Sequence, residues 1–413
     1  MNISTISVIG LGYIGLPTAA VIASNGIRVK GVDINQKTVD TINQGKIHIV
    51  EPGLGELVKQ AVADGHLTAH TSAQPADAYL IAVPTPFKGE DHEPNLSYIE
   101  SAAKALAPSL VKGNLVVVES PSPVGATEKM AAWLAEVRPD LTFPQNKKEG
   151  QSAEILVAHC PERVLPGQVI RELVENDRII GGMDQESTDA ATAVYNLFVK
   201  KGNCIATNAR TAEMAKLTEN ASRDARIAFA NELSMICDKQ GIDVWELIEL
   251  ANLHPRVNIL QPGAGVGGHC IAVDPWFIVN QNPNEAKIIN QARLTNDSKP
   301  VWVMDKIEAA VKDIKNPKIA CLGMAFKPDI DDLRESPALN ITKNLATKGY
   351  EILAVEPNIK TLPQQFSELS NVKLVELSEA IKQADVIAIL VKHKEFIGLD
   401  VQAVNCLDFV NAV

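Results

Sequence analysis

Residues 6–33 constrain the fold more than any other stretch. Ile6 to Ile9 is a short apolar run that leads into Gly10-Leu11-Gly12-Tyr13-Ile14-Gly15. Leu16 to Ala23 reads as an apolar, Ala-rich helix, Asn25-Gly26 stops it, and Arg28 to Val32 reads as a second strand closed by Asp33. A strand, glycine turn, helix and strand in that order form the core of a dinucleotide-binding α/β fold. Gly10 makes the tight turn, Gly12 lets a pyrophosphate approach the backbone, and Gly15 lets helix and strand pack closely. The helix N-terminus then carries the phosphates. Asp33 stands where a carboxylate accepts from the adenosine ribose hydroxyls and repels a 2′-phosphate, so NAD is expected rather than NADP.

The alternation of strands and helices continues. Tyr79 to Val83 reads as a strand ending in Pro84-Thr85-Pro86, Leu115 to Val118 as one ending in Glu119-Ser120, and Ile155 to Ala158 as one ending in His159-Cys160-Pro161-Glu162-Arg163. Ligands of an open parallel sheet sit at the carboxyl ends of its strands. The prolines stiffen the first of these ends, and Glu162 and Arg163 are the residues here best suited to reach a substrate, unless they form a surface ion pair.

Ala209 to Gly241 reads as one long helix with a C-terminal glycine. Met214, Leu217, Ala221, Ala228 and Leu233 supply part of an apolar face, and Glu213, Lys216, Asn220 and Arg223 fall on one stripe. Such a stripe is either a solvated, salt-bridged face or a ligand-facing one. A second helix, Val244 to Asn252, runs into His254-Pro255-Arg256. Farther on, Lys318 to Phe326 repeats the strand-then-glycine pattern of the N-terminus, Glu351 to Glu356 repeats a strand ending in an acid, and Ala384 to Val391 parallels Ala76 to Val83. The repeat lacks GxGxxG, so it should bind something other than a dinucleotide in the same way. Lys327 and Arg334 at its strand end suit a nucleotide diphosphate.

Between the helices and the repeat lies QPGAGVGGHCIAVDPW, residues 261–276, with Cys270 after a glycine-rich run and Asp274 close behind. On its own this loop is equally a structural turn or a placed nucleophile. The six cysteines are scattered without a CxxC pair, which argues against a disulfide framework or a zinc site, and no metal is expected. The net charge of −11 and the lack of any concentrated basic stretch argue against a polyanion-binding surface, so no nucleic-acid partner is expected. No apolar run approaches the roughly 18 residues of a membrane span, and the N-terminus runs straight into a strand, so a cytoplasmic protein without membrane partners is expected.

Several separated motifs then coincide: GLGYIGLP at the start, AVPTPF at 82–87, SPVG at 122–125, CPERVLPG at 160–167, EMAKLTEN at 213–220, GVGGHCIAVDP at 265–275 and GMAFKPDIDDLRESP at 323–337. Together they resemble the UDP-glucose/GDP-mannose dehydrogenase family along essentially the whole chain, most closely its branch acting on UDP-N-acetyl-D-mannosamine. The resemblance implies two Rossmann-like parallel-sheet domains joined by a central helical domain with one long connecting helix. The expected divisions are 1–205 for NAD, 206–305 for catalytic residues and dimer contacts, and 306–413 for the UDP-sugar.

Residue by residue, the resemblance implies Cys270 as nucleophile, Lys216 and Asn220 as the groups that polarise the reacting oxygen or position water, Asp274 as the support of Lys216 and of the proton transfers, and Glu162 as the carboxylate of thioester hydrolysis. Gly10, Gly12, Gly15, Tyr13, Ile14, Asp33, Pro84, Thr85 and Arg334 would contact NAD. Glu162, Arg163, Lys216, Asn220, Gly267, His269 and Lys327 would contact the UDP-amino-sugar, and Arg256 would reach the ligand of a neighbouring subunit in a homodimer. The implied chemistry is a four-electron oxidation of carbon 6. A primary alcohol gives an aldehyde, and only a tetrahedral adduct of that aldehyde has a second hydride to lose. Cys270 supplies the adduct, and an ammonium at Lys216 stabilises the oxyanion and favours the thiolate.

Two positions depart from the family pattern. Ala272 stands where proline is usual, and Pro121 stands where threonine is frequent, leaving Ser120 or Ser122 to supply a hydroxyl. The same chemistry on UDP-N-acetyl-D-glucosamine, the carbon-2 epimer, is an alternative reading. A nucleotide-sugar-binding protein without turnover is another.

Overall fold

The computed structural model describes residues 3–89, 91–165, 167–268, 270–401 and 404–413. The chain divides into two compact units, residues 1–219 and 220–413. The first begins with β1 (Thr5–Ile9), α1 (Gly15–Ser24), β2 (Arg28–Val32), α2 (Gln36–Asn43), α3 (Leu54–Ala63), β3 (Leu67–His70) and β4 (Ala78–Ile81). A small hairpin, β5 (Phe87–Lys88) with β6 (Glu93–Pro94), precedes α4 (Ser97–Leu106), β7 (Leu115–Val118) and α5 (Ala126–Val137). Then come β8 (Leu156–His159), α6 (Val169–Glu175), β9 (Arg178–Gly182), α7 (Gln185–Tyr195) and β10 (Cys204–Asn208).

The sheet runs β10-β9-β8-β7-β4-β1-β2-β3. β4 (AYLI) and β7 (LVVV) are buried throughout, as strands covered by helices on both faces must be. β1 lies between β2 and β4, so the strand order reverses there, which is where such sheets bind ligands. One pairing departs from the expected parallel sheet: β8 and β9 are antiparallel, Ala158 opposite Gly182. The intervening chain contains only the short α6 and reverses direction.

The glycines of the first turn have separate geometric reasons. Gly10 has φ +92°, and a Cβ there would lie 2.6 Å from the Ala82 carbonyl oxygen. A Cβ on Gly15 would lie 1.8 Å from the Gly10 carbonyl oxygen, so α1 can pack against the turn only without a side chain. A Cβ on Gly12 would meet nothing within 4 Å, leaving the backbone open to a ligand. Gly15→Ala is therefore expected to destabilise this unit by about 2 kcal/mol or more. It should also abolish the rise in melting temperature that NAD gives the wild type. An equal NAD-induced shift in both proteins would contradict this.

α8 (Ala209–Gln240) ends where the glycine at 241 takes φ +69°. Its buried face differs from the apolar one expected. Met214 and Arg223 are exposed, while Glu213, Lys216, Asp224, Asn231 and Ser234 are buried among Ala212, Leu217, Ala221 and Ala228. Polar groups can occupy this face because loops and neighbouring helices supply hydrogen-bond partners, described below.

The second unit continues with α9 (Val244–Asn252), α10 (Asp274–Gln281) and α11 (Lys287–Val311). β11 (Lys318–Leu322), α12 (Pro337–Thr347), β12 (Glu351–Val355), β13 (Val372–Leu374), α13 (Leu377–Gln383), β14 (Val386–Ile389) and β15 (Asn405–Asp408) then form a parallel sheet ordered β13-β12-β11-β14-β15. Its first turn repeats that of the first unit. Gly323 has φ +92° and donates to the Val355 carbonyl at 2.8 Å, as Gly10 donates to that of Val32 at 2.8 Å. The copies part at the acid. Asp33 Oδ2 accepts from the Leu11 amide at 3.1 Å, whereas Glu356 Oε2 accepts from the amides of Met324 at 2.7 Å and Ala325 at 3.0 Å. In the second copy the carboxylate thus occupies the turn itself. Among the described residues, no helix is long and apolar enough to cross a membrane.

Candidate active site

In the first unit the dinucleotide turn is built as expected. Asp33 accepts from the Leu11 amide and, through Oδ1, from the Asn35 amide at 2.9 Å, which fixes the carboxylate at the β2 end with lone pairs to spare. Tyr13 and Ile14 lie in the turn before α1. Pro84 and Thr85 follow β4, and Thr85 Oγ1 donates to the Pro121 carbonyl at 2.5 Å. Position 121 thus contributes its backbone to this loop pair. Ser120 Oγ donates to the Val83 carbonyl at 2.6 Å. The Ser122 hydroxyl is buried with no hydrogen-bond partner among the described residues.

Glu162 follows β8 and is 6% exposed. Its amide donates to the Glu119 carbonyl at 3.2 Å, and its carboxylate accepts from the Val164 amide. Burial pushes the Glu162 carboxyl up to about 7, against the opposing pull of Lys216 and Arg178 and with a smaller push from Glu119 and Glu172. Lys216 is 7% exposed on α8. A buried carboxyl that titrates near neutrality beside an ammonium is a suitable general base. Arg163 pairs with Glu219 at 2.8 Å and donates to the Asp177 carbonyl at 2.9 Å. Glu213, on the stripe with Lys216 and Asn220, is engaged by the first unit's own backbone. Its carboxylate accepts from the amides of Gly125 at 2.7 Å and Thr127 at 2.8 Å, and so caps α5.

In the second unit Asn220 Nδ2 donates to Asp274 Oδ2 at 2.6 Å. Asp274 is 2% exposed and begins α10. Its amide donates to the Cys270 carbonyl at 2.8 Å, so Cys270 and Ala272 lie in the turn that leads into that helix. Asp274 thereby ties the cysteine turn to α8. The loop before it needs its glycines. A Cβ on Gly265 would lie 2.9 Å from Pro300 Cγ of α11, and one on Gly267 would lie 2.6 Å from the Glu335 carbonyl oxygen. The Gly268 amide donates to that same carbonyl at 3.3 Å. The cysteine loop therefore packs directly on the segment carrying Lys327 and Arg334. Lys327 is half-buried, and Arg334 forks onto Asp332, with Nη2 to Oδ2 at 2.6 Å. Arg256 is exposed beyond α9. His269 lies outside the described residues.

The cysteines divide by environment. Burial pushes Cys160 and Cys321 up to about 12 and Cys406 up to about 11, and it raises Cys204. Cys237 is buried, and Cys270 is half-buried in its glycine-rich turn. Asp329, His393 and Glu395 bring ligand atoms within 4.8 Å of one another. His393 is already engaged, however. Its Nδ1 accepts from the Asp329 amide at 2.9 Å, and its Nε2 lies 3.0 Å from Glu356. Both ring nitrogens serve the protein, so the trio does not suit a metal.

The NAD binding domain of the UDP-glucose/GDP-mannose dehydrogenase family matches residues 4–199, its central domain matches 210–298, and its UDP binding domain matches 320–408. The chain belongs to that family. It is an NAD-dependent nucleotide-sugar dehydrogenase. A UDP-N-acetyl-D-mannosamine dehydrogenase of Campylobacter jejuni is 66% identical over 405 residues, covering 98% of each chain. An NDP-N-acetyl-D-galactosaminuronic acid dehydrogenase of Ralstonia nicotianae is 59% identical, covering 97% of this chain and 93% of its own. Among solved structures, a UDP-D-ManNAc dehydrogenase from Pyrococcus horikoshii superposes with TM-score 0.88 at 36% identity, covering 99% of this chain and 96% of that one.

In this dehydrogenase a buried polar group behind Glu162 was only partly legible. Tyr195 Oη donates to Glu119 Oε1 at 2.6 Å, and Arg178 is 2% exposed nearby on β9. Burial raises the Glu119 carboxyl, outweighing Tyr195 and Arg178, and holds His159 neutral by lowering it to about 3. Glu119 stood out as a polar strand end. Tyr195 and Arg178 carried no local signal, because a tyrosine closing a helix and an arginine opening a strand are ordinary surface patterns.

Proposed function

We propose that this chain oxidises carbon 6 of UDP-N-acetyl-D-mannosamine to the carboxylate, giving UDP-N-acetyl-D-mannosaminuronate for surface polysaccharide biosynthesis. The observation that carries the reading is the half-buried Cys270, held on the UDP-binding segment by the Gly268–Glu335 bond and tied to α8 by Asp274 and Asn220. The Campylobacter relative supports the choice of sugar.

NAD, when bound, would supply the hydride acceptor for each of the two oxidations at carbon 6. Gly10, Gly12, Gly15, Tyr13, Ile14, Asp33, Pro84, Thr85 and Arg334 hold it. Lys216 and Asn220 stabilise the oxygen on carbon 6 as charge develops there. Cys270 Sγ bonds to the aldehyde carbon, whose π electrons pass to oxygen, giving a thiohemiacetal. Loss of the second hydride leaves a thioester. Water attacks it, Glu162 takes the water's proton, and the C–S bond breaks to return the Cys270 thiolate. Arg163, Arg256, Gly267, His269 and Lys327 position the UDP-sugar, and residues 1–205, 206–305 and 306–413 divide these tasks. Asp274 orients Asn220. The exposed apolar residues Phe229 and Ile236 on α8 and Leu250 on α9 support a homodimer through these helices.

Absorbance at the NADH band with a panel of UDP-sugars tests the substrate. UDP-N-acetyl-D-mannosamine is expected to give a kcat/KM at least about tenfold above its carbon-2 epimer UDP-N-acetyl-D-glucosamine. The reverse order would assign the enzyme to the epimer.

A further inference from the structure

A chain of buried amides runs beneath the cysteine loop in the second unit. Asn231 on α8 is wholly buried. Its Oδ1 accepts from the Gly263 amide at 2.9 Å, and its Nδ2 donates to Asn296 Oδ1 on α11 at 2.9 Å. Asn296, 1% exposed, donates from Nδ2 to Asp224 Oδ1 at 2.8 Å and to the Asp224 carbonyl at 3.0 Å. Asp224 Oδ1 also accepts from Arg293 Nη1 at 2.6 Å, and Arg293 pairs onward with Asp297. Gly263 opens the glycine-rich run, residues 263–268, that precedes Cys270.

The direction of this relay is determined chemically. Asp224 Oδ1 accepts two bonds, so Asn296 must turn its NH2 toward it. That leaves the Asn296 oxygen for the NH2 of Asn231, and the Asn231 oxygen for the Gly263 N–H. No other side chain of similar size donates and accepts in one plane in this order. The helix that supplies Asn296 also supplies Pro300, against which Gly265 is pressed. The loop is thus pinned at its start by the hydrogen bond to Asn231 of α8, which Asn296 of α11 holds in turn, and seated at its middle by close packing against Pro300 of α11 and Pro337 of α12.

We propose that Asn231 and Asn296 are positioning residues for the nucleophile loop, setting through Gly263 the register that presents Cys270 to the sugar. The functional part of this rests on the reading of Cys270 as nucleophile. Neither asparagine touches substrate in this proposal. Both act through the backbone of Gly263.

Hydrogen exchange by mass spectrometry, together with steady-state kinetics, tests it on the full-length enzyme. In Asn231→Ala, exchange in the peptide spanning residues 261–273 should speed by about tenfold or more, while both sheets keep wild-type protection. kcat should fall about tenfold with KM for the UDP-sugar within about twofold, because a displaced nucleophile affects chemistry and not binding. Unchanged exchange in that peptide would overturn the proposal, as would a general loss of protection in which kcat and KM deteriorate together. Should Asn231→Ala fail to fold, Asn296→Ala is read by the same two criteria. It leaves the Gly263 acceptor in place but frees it to rotate. The exchange readout needs no chemistry at Cys270. Alkylation of Cys270 that left wild-type turnover intact would therefore refute the nucleophile reading and not the relay.

Discussion

Replacing Cys270 with alanine is expected to lower uronate release by on the order of a thousandfold or more. The aldehyde formed by the first oxidation has no hydride that can leave until its carbon becomes tetrahedral. In the proposed route the Cys270 thiol makes that carbon tetrahedral and holds the product as an acyl-enzyme. The rest of the site should survive the substitution. The backbone bonds from Val273 and Asp274 to the carbonyl of residue 270 do not need the sulfur, and neither does the Asn220–Asp274 contact. NAD and the UDP-sugar should therefore still bind, with Kd values near wild type by calorimetry. Uronate release at the normal rate from Cys270→Ala would refute the covalent route.

Glu162→Gln should stop the enzyme one step later. The amide keeps the shape of the carboxylate but cannot take the proton of the attacking water. Steady-state turnover is expected to fall by about 10² to 10³. A rapid burst of two NADH per subunit should precede it, and intact-mass measurement should find the sugar acid bound to Cys270. The pH profile gives a second check. Burial pushes Glu162 up to about 7, and the base must be ionised to act. Hydrolysis in the wild type should therefore weaken as pH falls through about 7. That acid limb should be missing from the residual turnover of Glu162→Gln. A variant with no burst, or with the wild-type acid limb intact, would remove Glu162 from the hydrolytic step.

Much of the scaffold was legible because its signals are local. β2, β7 and α9 occupy the residues their apolar runs and stop signals predicted, and α8 ends at the glycine predicted to end it. The glycine turn was legible because each glycine answers a steric demand within one βαβ unit. What escaped depends on partners distant in sequence. The buried polar face of α8 reads as misplaced until Thr127, Gly263 and Asn296 are brought to it. Met214 fits an apolar period yet is exposed, because period alone does not say which face is covered. Glu356 looked like the counterpart of Asp33, and only its bonds to Met324 and Ala325 show that it fills its own turn. The reversal at β9 has no sequence mark, since parallel and antiparallel buried strands share the same apolar pattern.

A double oxidation at a single carbon fixes the stoichiometry of the complete reaction. With limiting UDP-N-acetyl-D-mannosamine and excess NAD, two NADH should form for each sugar consumed, with the uronate as the sole sugar product. One NADH per sugar, with a carbon-6 aldehyde trapped by hydroxylamine, would contradict it.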